Sequence, residues 1–361
     1  MPASRHLRHI FASVIIVVLL VIFGRYLYTV SPAHIKDQLS LPSLPSILSP
    51  IPNIVHYVIL KKDEKSTLDF RFDHFLSIYG SLMYFKPTPI FLHTDYDAAT
   101  IEQAAATGNK WTRAILNLPK VKTNQVVSPT HSNGRQIQNV EHKSDFVRIN
   151  ELYRSGGIYM DLDVLPLRDL KPLRYAGYKS VVGRQYQGGI NNGVILAQKE
   201  AALVYIMQRD GPLYFNGKWD THSVKLITPV AQRLVKVPNE VLIMDEKAFS
   251  PTSWTKDSMN DLFKPHKETS PPHLEPQIVK GDEDPITLWD SRKTKSRTWE
   301  LDLSSTYLLH AYKTRGYKVS GFDGVTVSYV LKRDSNYALA AYPIVRHALD
   351  HGVIKEEDDV V

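Results

Sequence analysis

The sequence predicts an α/β fold: a mixed sheet with helices on its faces, behind an apolar N-terminal segment. Three observations carry the prediction. β-rich apolar runs alternate with stretches of helical spacing from residue 53 to about 165, the pattern of a sheet covered by helices. One run, "GGIYMDLDVLPL" at 156–167, alternates Ile158, Met160, Leu162 and Val164 with other residues and reads as a buried strand. The chain is 361 residues long, 43% hydrophobic and 22% charged, enough for a large core and without the signature of disorder.

Taken in order, residues 1–9 carry Arg5, His6, Arg8 and His9 and read as a cytoplasmic tail. An apolar run covers 10–30, broken only by Arg25. That length suits a signal-anchor transmembrane helix of roughly 20 residues, with Arg25 snorkelling and Tyr26 and Tyr28 at the interface. A cleaved signal peptide is the other reading, and no small-residue cleavage site favours it. Residues 31–52 contain Pro32, Pro42, Pro45, Pro50, Pro52 and several serines, the composition of an extended stem. The folded part is then 53–361. With a basic flank inside, it would lie on the lumenal or extracellular side of a single-pass type II membrane protein.

"NIVHYVIL" gives the first strand. Phe72, Phe75, Leu76, Tyr79, Leu82 and Met83 recur at helical spacing. "TPIFLHTD" is a second strand, and "DAATIEQAAATGNKWTRAI" an Ala-rich helix. "KSDFVRINELYRSGG" reads as a helix capped by Ser144 and ended by Gly156 and Gly157. "GGINNGVILAQ" is turn plus strand, "VYIMQRDGPLYF" starts as a helix, and "SVKLITPVAQRLV" has helical spacing. The polar, Pro-rich 250–300 reads as loops, "STYLLHAYKT" as a late strand with His310, and "KEEDDVV" as a solvated tail.

The chain has no cysteine, which excludes disulfides, thiolate metal sites and cysteine nucleophiles. It also has no Asn-x-Ser/Thr sequon. The net charge is +7, but the basic residues are scattered and no nucleic-acid-binding module is recognisable, so no nucleic-acid partner is expected.

Asp161 and Asp163 are the feature that needs an explanation. On a continuous strand they point to one side. Side-by-side carboxylates repel unless a cation or proton lies between them. Solvated acids at a strand end, a general acid/base pair, or an oxygen-ligated divalent metal site would each fit. A hydrolase pair is disfavoured, because its carboxyls flank the scissile bond about 5 Å apart on different elements. The preceding helix places Asp145 and Arg148 on one face at i and i+3. Open α/β sheets bind ligands at the carboxyl ends of strands, so these groups converge where a ligand belongs.

The stretch "SDFVRINELYRSGGIYMDLDVLPL" resembles the Asp-x-Asp region of glycosyltransferase family 32, which includes fungal Golgi mannosyltransferases and α-1,4-galactosyltransferases. Fainter likenesses are "IPNIVHYVI", "INNGVILAQ", "LITPVAQRL" and "LLHAY". The resemblance implies a GT-A type, Rossmann-like nucleotide-sugar fold over 53–361. It implies hexose transfer from a nucleotide-sugar donor to a glycan or glycolipid acceptor with retention, giving an α-linkage, in the Golgi membrane. It implies Mn²⁺ or another divalent cation on Asp163 and Asp161, completed by His310. Asp145, Arg148 and Tyr159 would meet the donor with Asp161, Val58 would offer backbone contacts to the base, and Asn192 would stand between donor and acceptor.

Tyr159 as a core aromatic, His310 as a structural histidine and Asn191-Asn192 as a plain turn are the alternative readings. His56 reads as a core histidine, and His93 fits either role. Two positions depart from the family: Ile59 stands where many relatives stack Trp on the base, and Ser223-Val224 replace Gly-Pro ahead of Thr228. These departures keep a second reading open, a membrane-anchored binding protein of the same fold without turnover.

Overall fold

The computed structural model describes residues 49–270, 297–312 and 316–358. The tail, the apolar run and the stem up to residue 48 lie outside the described residues. Among the described residues, no helix is long and apolar enough to cross a membrane. The folded unit runs from Ser49, and Ile51 is fully buried, its N–H donating to the Arg174 carbonyl at 3.0 Å.

Strand β1 (Val55–Val58) is buried throughout. Helix α1 (Phe72–Phe85) follows the predicted stripe, and β2 (Ile90–Thr94) pairs parallel to β1. The Ala-rich segment makes two helices, α2 (Ala98–Thr107) and α3 (Lys110–Leu116). Gly108 ends the first, and the Asn109 side chain caps the second by accepting from the Thr112 N–H. Strand β3 (Val121–Gln125) had no apolar signal because it is an exposed sheet edge of polar residues. A short hairpin, β4 (His131–Ser132) and β5 (Arg135–Gln136), turns through Asn133 and Gly134, both at positive φ.

Helix α4 (Val140–Ser155) begins before the expected cap. Asn139 occupies the cap position, and Ser144 lies within the helix, because nothing in Val140–Lys143 breaks it. Gly156 at φ 64° ends it, and Gly157 at φ 124° opens β6 (Gly157–Met160). A methyl group on Gly157 would lie 2.5 Å from the Ile54 carbonyl oxygen and 2.7 Å from His56 Nε2, so only glycine fits there.

The expected strand does not run through the two aspartates. It stops at Met160; the Val164 N–H then closes a turn on the Asp161 carbonyl at 3.1 Å. The chain resumes as β7 (Val164–Pro166) in a separate two-stranded sheet. The acids therefore meet through a turn, not through strand alternation. The turn is held from outside, since Ser77 of α1 donates to the Val164 carbonyl at 2.6 Å.

Beyond it come α5 (Lys171–Arg174), β8 (Ser180–Arg184), β9 (Ile190–Ala197), α6 (Ala202–Tyr214) and α7 (Val224–Leu234). Then follow β10 (Val241–Met244), α8 (Glu246–Phe249), α9 (Lys256–Phe263), β11 (Leu308–His310), α10 (Val327–Lys332) and α11 (Asn336–Asp350). Asn191 and Asn192 are strand residues, not a turn. Helix α9 lies inside the stretch read as loops: Thr255 caps it, and Met259, Leu262 and Phe263 bury one face. In the acidic tail, Asp358 is not simply solvated, for it pairs with Lys110.

The main sheet has seven strands in the order β10-β8-β9-β6-β1-β2-β3. β6 lies in the middle, parallel to β1 and antiparallel to β9. From β1 the chain steps outward to β2 and β3, then returns to the other side of β1 as β6. That reversal creates a crevice at the carboxyl ends of β1 and β6, where doubly wound sheets hold their ligands. One core packs Tyr57, Ile158 and Met160 against α1 and α11; another packs Val58 and Tyr159 against α4, α6 and α7.

A buried relay secures the start of β6. His56 Nε2 lies 2.9 Å from the Gly156 carbonyl, which can only accept, so Nε2 carries the hydrogen. His56 Nδ1 then accepts from His93 Nε2 at 2.9 Å, and His93 Nδ1 accepts from the Asn124 amide at 2.9 Å. Burial pushes His56 down to about 4. Burial, then the neighbouring His56 and Arg154, push His93 down to about 3. Both rings are therefore neutral, core histidines as far as their contacts go.

Candidate active site

Asp161 leaves the end of β6 with its N–H donating to the Gly193 carbonyl of β9 at 2.8 Å. Because Tyr159 and Asp161 are two residues apart, they share the sheet face that α4 covers. The Tyr159 hydroxyl donates to Asp161 Oδ1 at 2.6 Å, and the Arg148 guanidinium lies 4.5 Å above the Tyr159 ring. Arg148 stands 3.2 Å from Asp161 and 3.2 Å from Asp145, and donates to the Asn192 carbonyl at 2.8 Å. Burial alone would disfavour its charge, but Asp161, Tyr159 and Asp145 outweigh burial and raise its pKa further. Burial raises Tyr159 well above the phenol range, so it stays a donor.

The turn brings Asp163 to His310, whose Nε2 is 3.3 Å from Asp163 Oδ1. Antiparallel pairing of β11 with β7, His310 opposite Val164, puts the histidine there. Its other nitrogen lies 2.9 Å from the Asn191 amide, and Tyr312 stacks on its ring with centroids 3.9 Å apart. Burial pulls the His310 pKa down, but Asp163 and then Asp161 outweigh burial, and the net shift is upward.

Asp161, Asp163 and His310 each offer a ligand atom, all within 4.8 Å of one another. Two hard carboxylates and an imidazole suit a divalent cation such as Mn²⁺. Gly193 leaves the space: a methyl group there would stand 2.5 Å from Asp161 Oδ2 and 2.8 Å from the His310 ring. The donor set and this opening fit a metal. Asn191 holds the His310 ring through its other nitrogen and Tyr159 holds one Asp161 oxygen, which orients two of the three ligand groups.

The structure thus gathers Asp145, Arg148, Tyr159, Asp161, Asn192, Asp163 and His310 into one cluster. Asn192 donates to Asp145 at 2.9 Å. Val58 touches none of them by hydrogen bond; it ends β1 beside β6, two residues past His56, which pairs with Tyr159. Ile59 follows at the same crevice, partly buried and packed against the core. Thr228 of α7 accepts from the Ile190 N–H at 2.8 Å and so fastens α7 to the start of β9.

Three groups escaped the sequence reading. Gly193 and Tyr312 flank residues that were noted, and their nearness to Asn192 and His310 was the available signal. His222, in a loop before α7, had none; its Nε2 lies 3.0 Å from Asp145 Oδ2.

Residues 50–180 match the family described as glycosyltransferase sugar-binding region containing DXD motif. Over 241 residues the chain is 26% identical to glucan organizing enzyme 1 of Cryptococcus neoformans, covering 63% of this chain and 61% of that protein. Over 177 residues it is 24% identical to lactosylceramide 4-alpha-galactosyltransferase of Pongo pygmaeus, covering 46% of this chain and 76% of that one. The chain therefore spans under two thirds of the first relative's length. Among solved structures, apo-form glycosyltransferase GlyE of Streptococcus pneumoniae aligns at TM-score 0.43 and 9% identity, over 84% of this chain and 64% of that one. PaToxG glycosyltransferase aligns at 0.37 and 14%, over 53% and 70%. At these scores the fold rests on the sheet itself. The family match and the two relatives bear out the resemblance to the DXD-motif glycosyltransferases of family 32.

Proposed function

We propose that this chain, which carries a DXD-type glycosyltransferase sugar-binding region, transfers a hexose from a nucleotide sugar to a glycan or glycolipid acceptor. Transfer proceeds with retention, aided by a divalent cation, on a GT-A type fold. The observation that carries the reading is the meeting of Asp161, Asp163 and His310 at the exit of the central strand. The acceptor class draws on the relatives, one of which is named for lactosylceramide. The apolar run at 10–30 supports a single-pass type II anchor with the catalytic part in the lumen, and the family resemblance supports the Golgi membrane.

Asp161, Asp163 and His310 would hold the cation. A divalent cation bound there supplies Lewis-acid stabilisation of the departing diphosphate. The chain's own groups do the rest. Arg148, kept charged between Asp161 and Asp145, fixes both carboxylates. Tyr159 keeps its proton and holds one Asp161 oxygen. Asp145, at the far side of Arg148, is placed to accept a hydroxyl of the donor sugar. Each carboxylate of the cluster is engaged: Asp145 by Arg148, Asn192 and His222, Asp161 by Arg148 and Tyr159, Asp163 by His310. No carboxylate of the cluster is left over as a covalent nucleophile. That supports front-side attack by the acceptor hydroxyl, with the leaving phosphate taking its proton.

The test is hydrolysis of a panel of nucleotide sugars by the full-length protein in detergent, with and without Mn²⁺. One donor should turn over with Mn²⁺ and not after chelation. Absence of turnover and of nucleotide-sugar binding across the panel contradicts the reading.

A further inference from the structure

A cavity of about 180 Å³ is lined in part by Asp145 and Asn192. Its walls come from α4, α6, the β4–β5 hairpin and the loop before α7. It shares Asp145 and Asn192 with the cluster and none of Asp161, Asp163 or His310. No lysine or arginine lines it, and Asp145 does, so it lacks the fixed positive charge that favours a phosphate. Phe146, Ile149 and Met207 supply an apolar wall, and Asn150, Asn192 and His222 supply polar atoms. An apolar face opposed by several hydrogen-bonding groups is what a neutral sugar ring presents and needs. The volume is below the roughly 300 Å³ of pockets for drug-sized ligands, which limits it to a single ring.

His222 points to an occupant. It is 3% exposed; Nε2 stands 3.0 Å from Asp145 Oδ2, and Nδ1 has no hydrogen-bond partner. Phe146 stacks on the ring at 5.0 Å and His142 meets it edge-on at 5.0 Å, which holds its orientation. A buried polar atom without a partner is destabilising. The cost falls away when a ligand hydroxyl fills the gap.

We propose that this cavity is the subsite for the terminal, uncharged sugar of the acceptor, with His222 as the residue that recognises one of its hydroxyls. The inference rests on the transferase reading for its meaning. Asp145 and Asn192 form the wall between the two sugars, so an occupant lies next to the donor without touching the metal ligands.

The experiment measures binding, not turnover. Methyl glycosides of glucose, galactose and mannose are titrated against the full-length protein in detergent, without nucleotide or metal, by saturation-transfer NMR. At least one should bind at millimolar concentration. His222→Phe should weaken it about tenfold, the worth of one hydrogen bond. Met207→Trp and Gln208→Trp, which fill the cavity from different depths, should abolish it. Asp163→Ala should leave it unchanged. Binding of none of the glycosides, or binding untouched by either tryptophan, overturns the proposal; the cavity then holds water only. Mn²⁺-dependent donor hydrolysis, read separately, decides the transferase reading, so the two failures are distinguishable.

Discussion

His310 shows how a residue's role depends on what the fold sets beside it. In the sequence it is one histidine at a strand end. In the structure it faces Asp163 at 3.3 Å, backed by Asn191. His310→Ala should lower Mn²⁺-dependent turnover at least ~100-fold, since losing even a residue that only orients a metal ligand costs about 10–100-fold. The thermal midpoint should move little, which circular dichroism checks. Gly193→Ala is a finer test. Its methyl group would press on Asp161 Oδ2 and the His310 ring, so metal affinity should fall about tenfold or more while the fold survives. Metal titration of the variant measures this. Unchanged affinity would mean the opening between these side chains is not where the cation sits.

At the scale of elements, the turn after β6 is the part the sequence concealed. The alternation Ile158, Met160, Leu162, Val164 continues through the aspartates, and nothing local says that Met160 and Val164 serve different sheets. The break depends on long-range partners, Gly193 on one side and Ser77 and β11 on the other. Helices α1 and α4 and strands β1, β2, β6 and β9 were legible, because buried strands and amphipathic helices write their pattern into the sequence. Strand β3 and helix α9 were not: one is a polar edge and the other sits in a polar stretch. The cluster around Arg148 was legible because Asp145, Arg148, Tyr159 and Asp161 lie on one helix–strand unit. His222 was not, since only α7 and the loop before it bring it there. Gly157→Ala should destabilise the protein by about 2–4 kcal/mol through strained backbone and contact with His56. Urea unfolding measures it, and a value near zero would show that the relay gives way.

Across the whole molecule, the His56–His93 relay ties stability to pH. Their folded values, about 4 and about 3, lie below the ordinary 6.5. Between 6.5 and 4 the unfolded chain therefore binds more protons than the folded one, and stability falls as pH drops. Above 6.5 the contribution is flat. His310, shifted the other way, acts against this trend. Unfolding free energies at pH 7.5 and 5 should differ by a few kcal/mol; equal values would place water in the relay. The same sheet that buries this relay delivers Asp161 to the crevice at its centre, and the claim that a divalent cation is held there is the one on which the rest depends. Its most direct measurement is Mn²⁺ binding to the full-length protein by electron paramagnetic resonance, in wild type and in Asp163→Ala. The account predicts one bound ion per chain in wild type, tightened by a nucleoside diphosphate and lost in the variant. Binding of equal strength in both proteins would contradict it.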